Sequence, residues 1–373
     1  MNFPPGTGYA WATIERVLRG VADRLTARGD SVFVAYPGLG GSVPPVWEGA
    51  TVELLDLDYQ AMARSRRGLR RLVSMLRHHR VDALYLTDQP TWAFRYLLLR
   101  LAGIRLLVVH DRTSGERSSS GVLAGVGKQV VHRLPGFGVT AAIAVSKFVA
   151  DRLVRINGVP APRCFVVYNG IPLEQFDAPA PGGLARLIGV PDQVPIVFLS
   201  GRAQPYKGIE TAIEAAALLE ESGDPETHFV YCGDGSGLPR LRSHAEQRGV
   251  RRFHFLGRRD DIPSLLGSAT LAIVPSHWGE AFGLTVVESM TAGVPVIATR
   301  VGGIPELISH NHTGILIPPR SAAALAEAIR ELLHDPEKRA RLSVAGREDA
   351  RARFGVERVV EDLDHILERV RPR

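Results

Sequence analysis

Cysteine is scarce in this chain, with only Cys164 and Cys232 among 373 residues. They lie far apart and no metal-ligand spacing surrounds them, which excludes a disulfide framework and a zinc site and suits a reducing cytoplasm. Long apolar runs are lacking too. The nearest candidate, YLLLRLAGIRLLVV, is broken by Arg100 and Arg105 and falls short of the roughly 20 apolar residues a membrane span needs, so it reads as a helix followed by a strand. The first residues, MNFPPGTGYAW, have neither the basic nor the apolar region of a signal peptide. Nucleic-acid-binding motifs are also missing, although the net charge is +6 and Lys and Arg exceed Asp and Glu by about ten before Gly170. Nucleic acid is therefore not the expected partner, and an anionic substrate or a peripheral contact with an anionic membrane fits that basic front half better.

What is present is the make-up of a globular protein, 45% hydrophobic and 23% charged. The length suits two domains of about 150 to 200 residues each. Short runs rich in Val, Ile and Leu alternate with longer stretches of helical period, the pattern of parallel sheets covered by helices on both faces. In the front half the runs are SVFVAY, ALYLT, RLLVVH, AAIAVS and CFVVYN; in the back half they are PIVFLSG, HFVYCG, FHFLG, LAIVPS, PVIATR and GILIP. A Pro- and Gly-rich linker joins them. The reading is an α/β chain with one Rossmann-like domain over 1–172 and a second over 173–355, followed by a helix over 356–373. In that helix Val356, Val359, Val360, Leu363, Ile366, Leu367 and Val370 form one apolar stripe that must be buried. The loop PPGTGY leads into a helix from Ala10 with no strand before it, whereas a doubly wound domain feeds such a loop from its central first strand. The expectation is that the chain begins late and that the front sheet lacks that strand.

Two segments carry chemistry. In HWGEAFGLTVVESMTAGVPVIATRVGGIPELI, Glu280 falls in the loop after the strand LAIVPS, at the sheet edge where open α/β folds bind ligands. The next helix starts near Gly283 or Leu284, which aims free amides and a positive dipole end at that crevice and suits a diphosphate. Glu288 lies one turn into that helix, and a carboxylate there can accept hydrogen bonds from paired sugar hydroxyls. In GRAQPYKG, after PIVFLS, Arg202 and Lys207 converge on the same crevice, where fixed cations stabilise a departing diphosphate without a metal. An exposed Arg or Lys on a loop is ordinarily only solvated, and the coincidence of two such loops is what favours function.

These segments, with FLGRRDDIPSLL and TGILIPP, resemble family 4 of the retaining glycosyltransferases, which have the GT-B fold: two Rossmann-like domains facing each other across a cleft. Weaker likeness runs forward through VSKFVADRL, VVYNGIPLEQF and LLVVHD. The resemblance implies that Arg202 and Lys207 contact the donor phosphates and Glu288 the ribose. It implies that Glu280 approaches the transferred sugar and that Phe282, Gly283 and Leu284 present backbone amides to it. It also implies that His110 stands near the reacting sugar, that Gly6 and Gly8 form a front-domain loop over the phosphates, and that Arg258 lines the nucleobase pocket. The C-terminal helix would cross back to the front domain. The substrate would be a nucleotide-sugar donor, with a glycan or a lipid-linked molecule as acceptor and with no cofactor or metal. Ala281, Ser289 and the run Thr87-Asp88-Gln89 depart from the common family pattern, the last on the acceptor side.

Other features read more plainly. GVGK at Gly125–Lys128 resembles a phosphate loop, but Gln129 stands where a magnesium-binding hydroxyl belongs. GDGSG at Gly233–Gly237 lacks the full dinucleotide fingerprint and reads as a packing turn. Asp56 and Asp58 read as a polar turn. RSRRGLRRLVSMLRHHR is amphipathic and fits either a solvated core helix or a membrane-surface helix. Two rival functions remain open: a nucleotide-sugar 2-epimerase on the same scaffold, and a non-catalytic subunit that binds sugar nucleotides.

Overall fold

The computed structural model describes residues 9–41, 43–114, 132, 134–178, 183–222 and 226–372. Gly6, Gly8 and the GVGK segment lie outside the described residues. The chain divides into two compact units, Met1–Gly170 with Val356–Arg373, and Ile171–Gly355.

In the first unit β1 (Phe33–Tyr36) pairs in parallel with β2 (Glu53–Asp56). A separate parallel sheet runs β3 (Ala83–Thr87), β4 (Leu106–Asp111), β5 (Ala141–Ala144) and β6 (Cys164–Val166). Among the described residues no strand joins β1 to β3. The two inner strands β4 and β5 are buried on both faces, which is why their sequences are continuously apolar rather than alternating. The smaller sheet is anchored by a buried polar node, in which the Tyr36 hydroxyl donates to Glu15 Oε1 at 2.5 Å and accepts from Trp47 Nε1 at 2.7 Å. Asp56 accepts from the Gly38 amide at 2.9 Å, and Asp58 caps the helix Tyr59–Ala63 through the Ala61 amide. This pair of acids organises turns.

The helix Val356–Val370 belongs to this unit. All seven residues of its apolar stripe join the cluster formed by Val17, Val21, Val108 and Ile143. It lies against the helix Tyr9–Ala27, where a Cβ on Gly20 would stand 2.6 Å from Val360 Cγ2, so the contact needs glycine. Arg24 and Arg28 meet Asp364 across the same seam.

The second unit holds one six-stranded parallel sheet built from β7 (Ile196–Ser200), β8 (His228–Cys232), β9 (Phe253–Gly257), β10 (Leu271–Val274), β11 (Val296–Thr299) and β12 (Ile315–Ile317). The spatial order is β12-β11-β10-β7-β8-β9. The chain winds outward from β7 in one direction, returns to β10 beside it, and winds outward in the other. The order thus reverses between β7 and β10, and at such a switch point the loops leaving adjacent strands diverge and open a crevice. Helices Ile209–Glu221 and Ala322–His334 cover one face through Ile213, Ala216, Leu325 and Ile329.

Candidate active site

The two loops that leave β7 and β10 carry the charged residues singled out from the sequence. Lys207 Nζ donates to Glu280 Oε1 at 2.8 Å, with side chains only 19% and 10% exposed. Glu280 is held on its other oxygen by Ser276 Oγ at 3.1 Å. Its carbonyl accepts from the Gly303 amide at 2.8 Å. Gly302 has φ +56° and a Cβ there would stand 2.1 Å from the Glu280 carbonyl oxygen, so the turn after β11 braces the Glu280 backbone as only glycine can. Thr299 Oγ1 completes the brace by donating to the Ser276 carbonyl at 2.6 Å.

The helix Leu284–Thr291 follows directly. Its N-cap, Gly283, has φ +108°, a left-handed conformation that costs glycine little, and a helix start of this kind leaves its first amides without helical partners. Phe282 is buried, with its ring edge-on to Phe354 at 5.7 Å, so its side chain serves the core. Glu288 sits one turn in and is buried. Burial pushes its carboxyl up to about 7, against the opposing pull of Lys207. Burial is the largest single influence on the Lys207 ammonium and would lower it, but the Glu280 carboxylate together with Tyr206 turns the net direction up. Arg202 is exposed, lies close enough to Lys207 to oppose that rise, and has no salt bridge among the described residues.

The loop carrying Arg202 and Lys207 is pinned from behind. Tyr231 Oη donates to the Gly201 carbonyl at 2.6 Å, and the Ala203 amide donates to the Asp234 carbonyl at 2.8 Å. A Cβ on Gly233 would stand 1.9 Å from the Gly201 oxygen, and one on Gly237 would stand 2.6 Å from the Ala203 oxygen. The glycines of GDGSG thus admit a neighbouring backbone.

The structure therefore brings Arg202, Lys207, Glu280, Glu288 and the helix start at Leu284 to one end of one sheet. Arg258, by contrast, stands on the loop after β9, over half exposed, with its guanidinium 3.6 Å from Asp260. His110 belongs to the first unit, at the end of β4. It is buried, hydrogen-bonded through Nδ1 to the Tyr85 hydroxyl, and shifted well below the ordinary histidine range by burial and then by Arg112. Its Nε2 has no partner among the described residues. The neighbouring Asp111 accepts from Arg152 at 3.1 Å and from Thr113. Sequence reasoning missed Ser276, Thr299 and Tyr231, whose single hydroxyls leave no spacing signal.

The profile of the family "Glycosyl transferases group 1" matches residues 186–349, and that of "Glycosyltransferase Family 4" matches residues 14–175. The α-D-kanosaminyltransferase of Streptomyces kanamyceticus is 30% identical over 296 residues, spanning 75% of this chain and 73% of that protein. The chain belongs to family 4 of the glycosyltransferases. A D-inositol 3-phosphate glycosyltransferase of Xylanimonas cellulosilytica is 33% identical over 228 residues, 58% of this chain, and the match spans about half (53%) of that relative's length. Among solved structures, a glycosyltransferase of Rickettsia africae superposes with a TM-score of 0.80 at 20% identity, covering 96% of this chain and 94% of its own. Anabaena HepE, solved with UDP-glucose, does so with 0.77 at 22% identity over 99% and 97%. The GT-B fold expected from the sequence is the fold of the family 4 chain described above.

Proposed function

We propose that this family 4 protein is a retaining, metal-independent glycosyltransferase that moves a sugar from a nucleotide-sugar donor to a glycan, lipid-linked or small-molecule acceptor. The reading rests above all on the meeting of Lys207 and Glu280, from two different loops, beside a helix N-terminus at the switch point of the six-stranded sheet. A buried ion pair adds little to stability, because desolvating both charges offsets their attraction. Its presence at a ligand-binding edge therefore points to function. As the glycosidic bond breaks, negative charge grows on the leaving diphosphate, where Arg202, Lys207 and the helix amides are already oriented. The freed phosphate oxygen then takes the proton of the incoming hydroxyl on the same face, which retains configuration and needs no separate base. Glu288, ionised once a ribose engages it, accepts from the paired hydroxyls.

Thermal unfolding read against UDP, GDP, ADP and their sugars tests the donor. One base series raises the midpoint, and at a ligand concentration 100 times Kd the gain is about 2.7 kcal/mol. No response to any nucleotide contradicts the reading. The labelled donor found this way then separates the rivals: an epimerase converts it without acceptor, and a binding subunit never releases nucleotide.

The acceptor side has a surface that suits a lipid-linked substrate. Arg66, Arg67, Arg70 and Arg71 stand exposed on the helix Arg66–His78 while Leu72 and Leu76 are buried. On the helix Phe94–Leu101, which packs beside it, Phe94, Leu98 and Leu101 face solvent, Phe94 at 75%. A basic face next to an exposed apolar stripe is the signature of a helix pair lying on an anionic membrane. Co-sedimentation with phosphatidylglycerol vesicles but not with phosphatidylcholine vesicles is expected, and Phe94→Ser with Leu101→Ser abolishes it. Equal recovery with both lipids overturns the membrane contact.

A further inference from the structure

In the first unit, the carboxyl edge of β3 and β4 holds a guanidinium whose hydrogen-bonding capacity the protein leaves unused. Arg112 follows β4 directly and is half-buried, and its Nε and Nη1 are covered without a hydrogen-bond partner among the described residues. The deeper cation nearby, Arg152, is paired, 3.1 Å from Asp111. Asp88, at the end of β3, lies near enough for its charge to be felt, but it spends Oδ1 on the Arg112 amide at 2.7 Å rather than on the guanidinium. Covered N–H groups of a cation are costly to leave unpaired, and such a group calls for an occupant.

The strand ends fix the place of that occupant. His110 and Arg112 are two residues apart in extended chain, so their side chains leave on the same face from Cα atoms roughly 6–7 Å apart. His110 is 1% exposed, and its Nε2 is the other unpartnered nitrogen here among the described residues. Beside them the Asp88 amide donates to the His110 carbonyl at 2.9 Å. Asp88 has φ +53°, a left-handed conformation that a residue other than glycine holds only where its surroundings enforce it. The carboxyl ends of parallel strands are also where open α/β sheets take their ligands.

Resting on the glycosyltransferase reading above, we propose that Arg112 binds an anionic group of the acceptor, a phosphate or a carboxylate, while the ring that carries this group lies toward His110. Charge selects the occupant. A neutral glycan can accept from single N–H groups but leaves the positive charge uncompensated, whereas phosphate or carboxylate oxygens answer both the charge and the directed N–H groups. The surplus of about ten basic residues before Gly170 draws anions to this half of the chain. The donor's own diphosphate is assigned to the second unit, at Lys207 and the helix start, so an anion held by the first unit belongs to the other substrate. The separation of His110 from Arg112 is about the width of one hexose ring, which places the anion on one side of that ring and a hydroxyl on the other.

The test is isothermal titration calorimetry on the full chain saturated with the nucleoside diphosphate that thermal unfolding identifies. The probes are D-glucose 6-phosphate, D-glucuronate and undecaprenyl phosphate in dodecyl maltoside micelles, with D-glucose as the neutral control. At least one anionic probe is expected to bind tenfold or more tightly than glucose; a response to the soluble probes marks a soluble acceptor, and one to the polyprenyl phosphate alone marks a lipid-linked acceptor. Arg112→Gln weakens that binding about tenfold or more, the scale of a charge-assisted hydrogen bond, and Arg112→Lys, which keeps the charge but not the fork, recovers part of it. Nucleotide affinity and the far-UV circular dichroism spectrum stay unchanged in both variants, which reports that they fold. No anionic probe bound more tightly than glucose while the nucleotide binds, or equal binding in Arg112→Gln, overturns the subsite. Loss of nucleotide affinity in Arg112→Gln assigns the anion to the donor and overturns the acceptor assignment. Absent nucleotide binding in the unaltered protein overturns the donor-site reading and this proposal with it.

Discussion

Lys207→Ala lowers turnover roughly 100-fold or more, the loss that follows when one preorganised charge donor is taken from a developing anion. The geometry explains why the loss falls on turnover. Lys207 Nζ donates to Glu280 at 2.8 Å, so the amine is held in a fixed orientation and gives its strongest interaction as charge moves onto the phosphate. Deleting the amine also strands the Glu280 carboxylate in a largely buried place, which destabilises the fold by a separate route. The double variant Lys207→Ala with Glu280→Gln removes that stranded charge. It regains stability in a urea titration but not turnover if Lys207 acts on the leaving group. Steady-state kinetics of both variants checks this, and turnover near the unaltered value in Lys207→Ala refutes the role.

Glu288→Gln moves stability and donor affinity in opposite directions. The Glu288 carboxyl is pushed up to about 7 from an ordinary 4.5, chiefly by burial. The folded state therefore holds its proton more tightly than the unfolded chain, and stability falls as pH rises between about 4.5 and 7, then levels. The cost of ionising it in place is on the order of 3 kcal/mol at pH 8. Glutamine avoids that cost, so the variant is the more stable protein at pH 8, and the advantage fades toward pH 4.5. Donor affinity drops about tenfold or more, because the amide is a weaker acceptor for paired hydroxyls than a carboxylate. Denaturant unfolding at pH 5 and pH 8, with donor titrations at pH 8, reads both. A variant less stable than the unaltered protein at pH 8 contradicts the buried, uncompensated carboxyl.

Much of the second unit was legible because its strands, apart from the edge strand β9, are buried on both faces and so stand out as unbroken apolar runs. PIVFLSG, HFVYCG, FHFLG, LAIVPS, PVIATR and GILIP each correspond to a strand from β7 to β12. The front half was less transparent. The strands β1 and β3 to β6 were readable as apolar runs while β2, with Glu53 and Asp56 at its ends, was not among them, and the division into two separate sheets is a matter of pairing, which leaves no mark on an apolar run. The same limit applies at the site. The spacing of Arg202 and Lys207, and of Glu280 and Glu288, could be read because each lies on one loop or one helix turn. That Lys207 would close on Glu280, 73 residues away, depends on β7 and β10 being neighbours. His110 shows a different gap: its neighbour Asp111 is charged, yet the two side chains serve different partners, as successive residues of a strand do.

Crystals of the full chain grown with the nucleotide sugar identified by thermal unfolding test the central claim most directly. The account predicts a diphosphate at the end of β7 and β10, within hydrogen-bond distance of Lys207 Nζ and the amides that open the helix at Leu284, with a ribose on Glu288. Density for the donor elsewhere on the molecule, with Lys207 still closed on Glu280 and the helix start untouched, contradicts it.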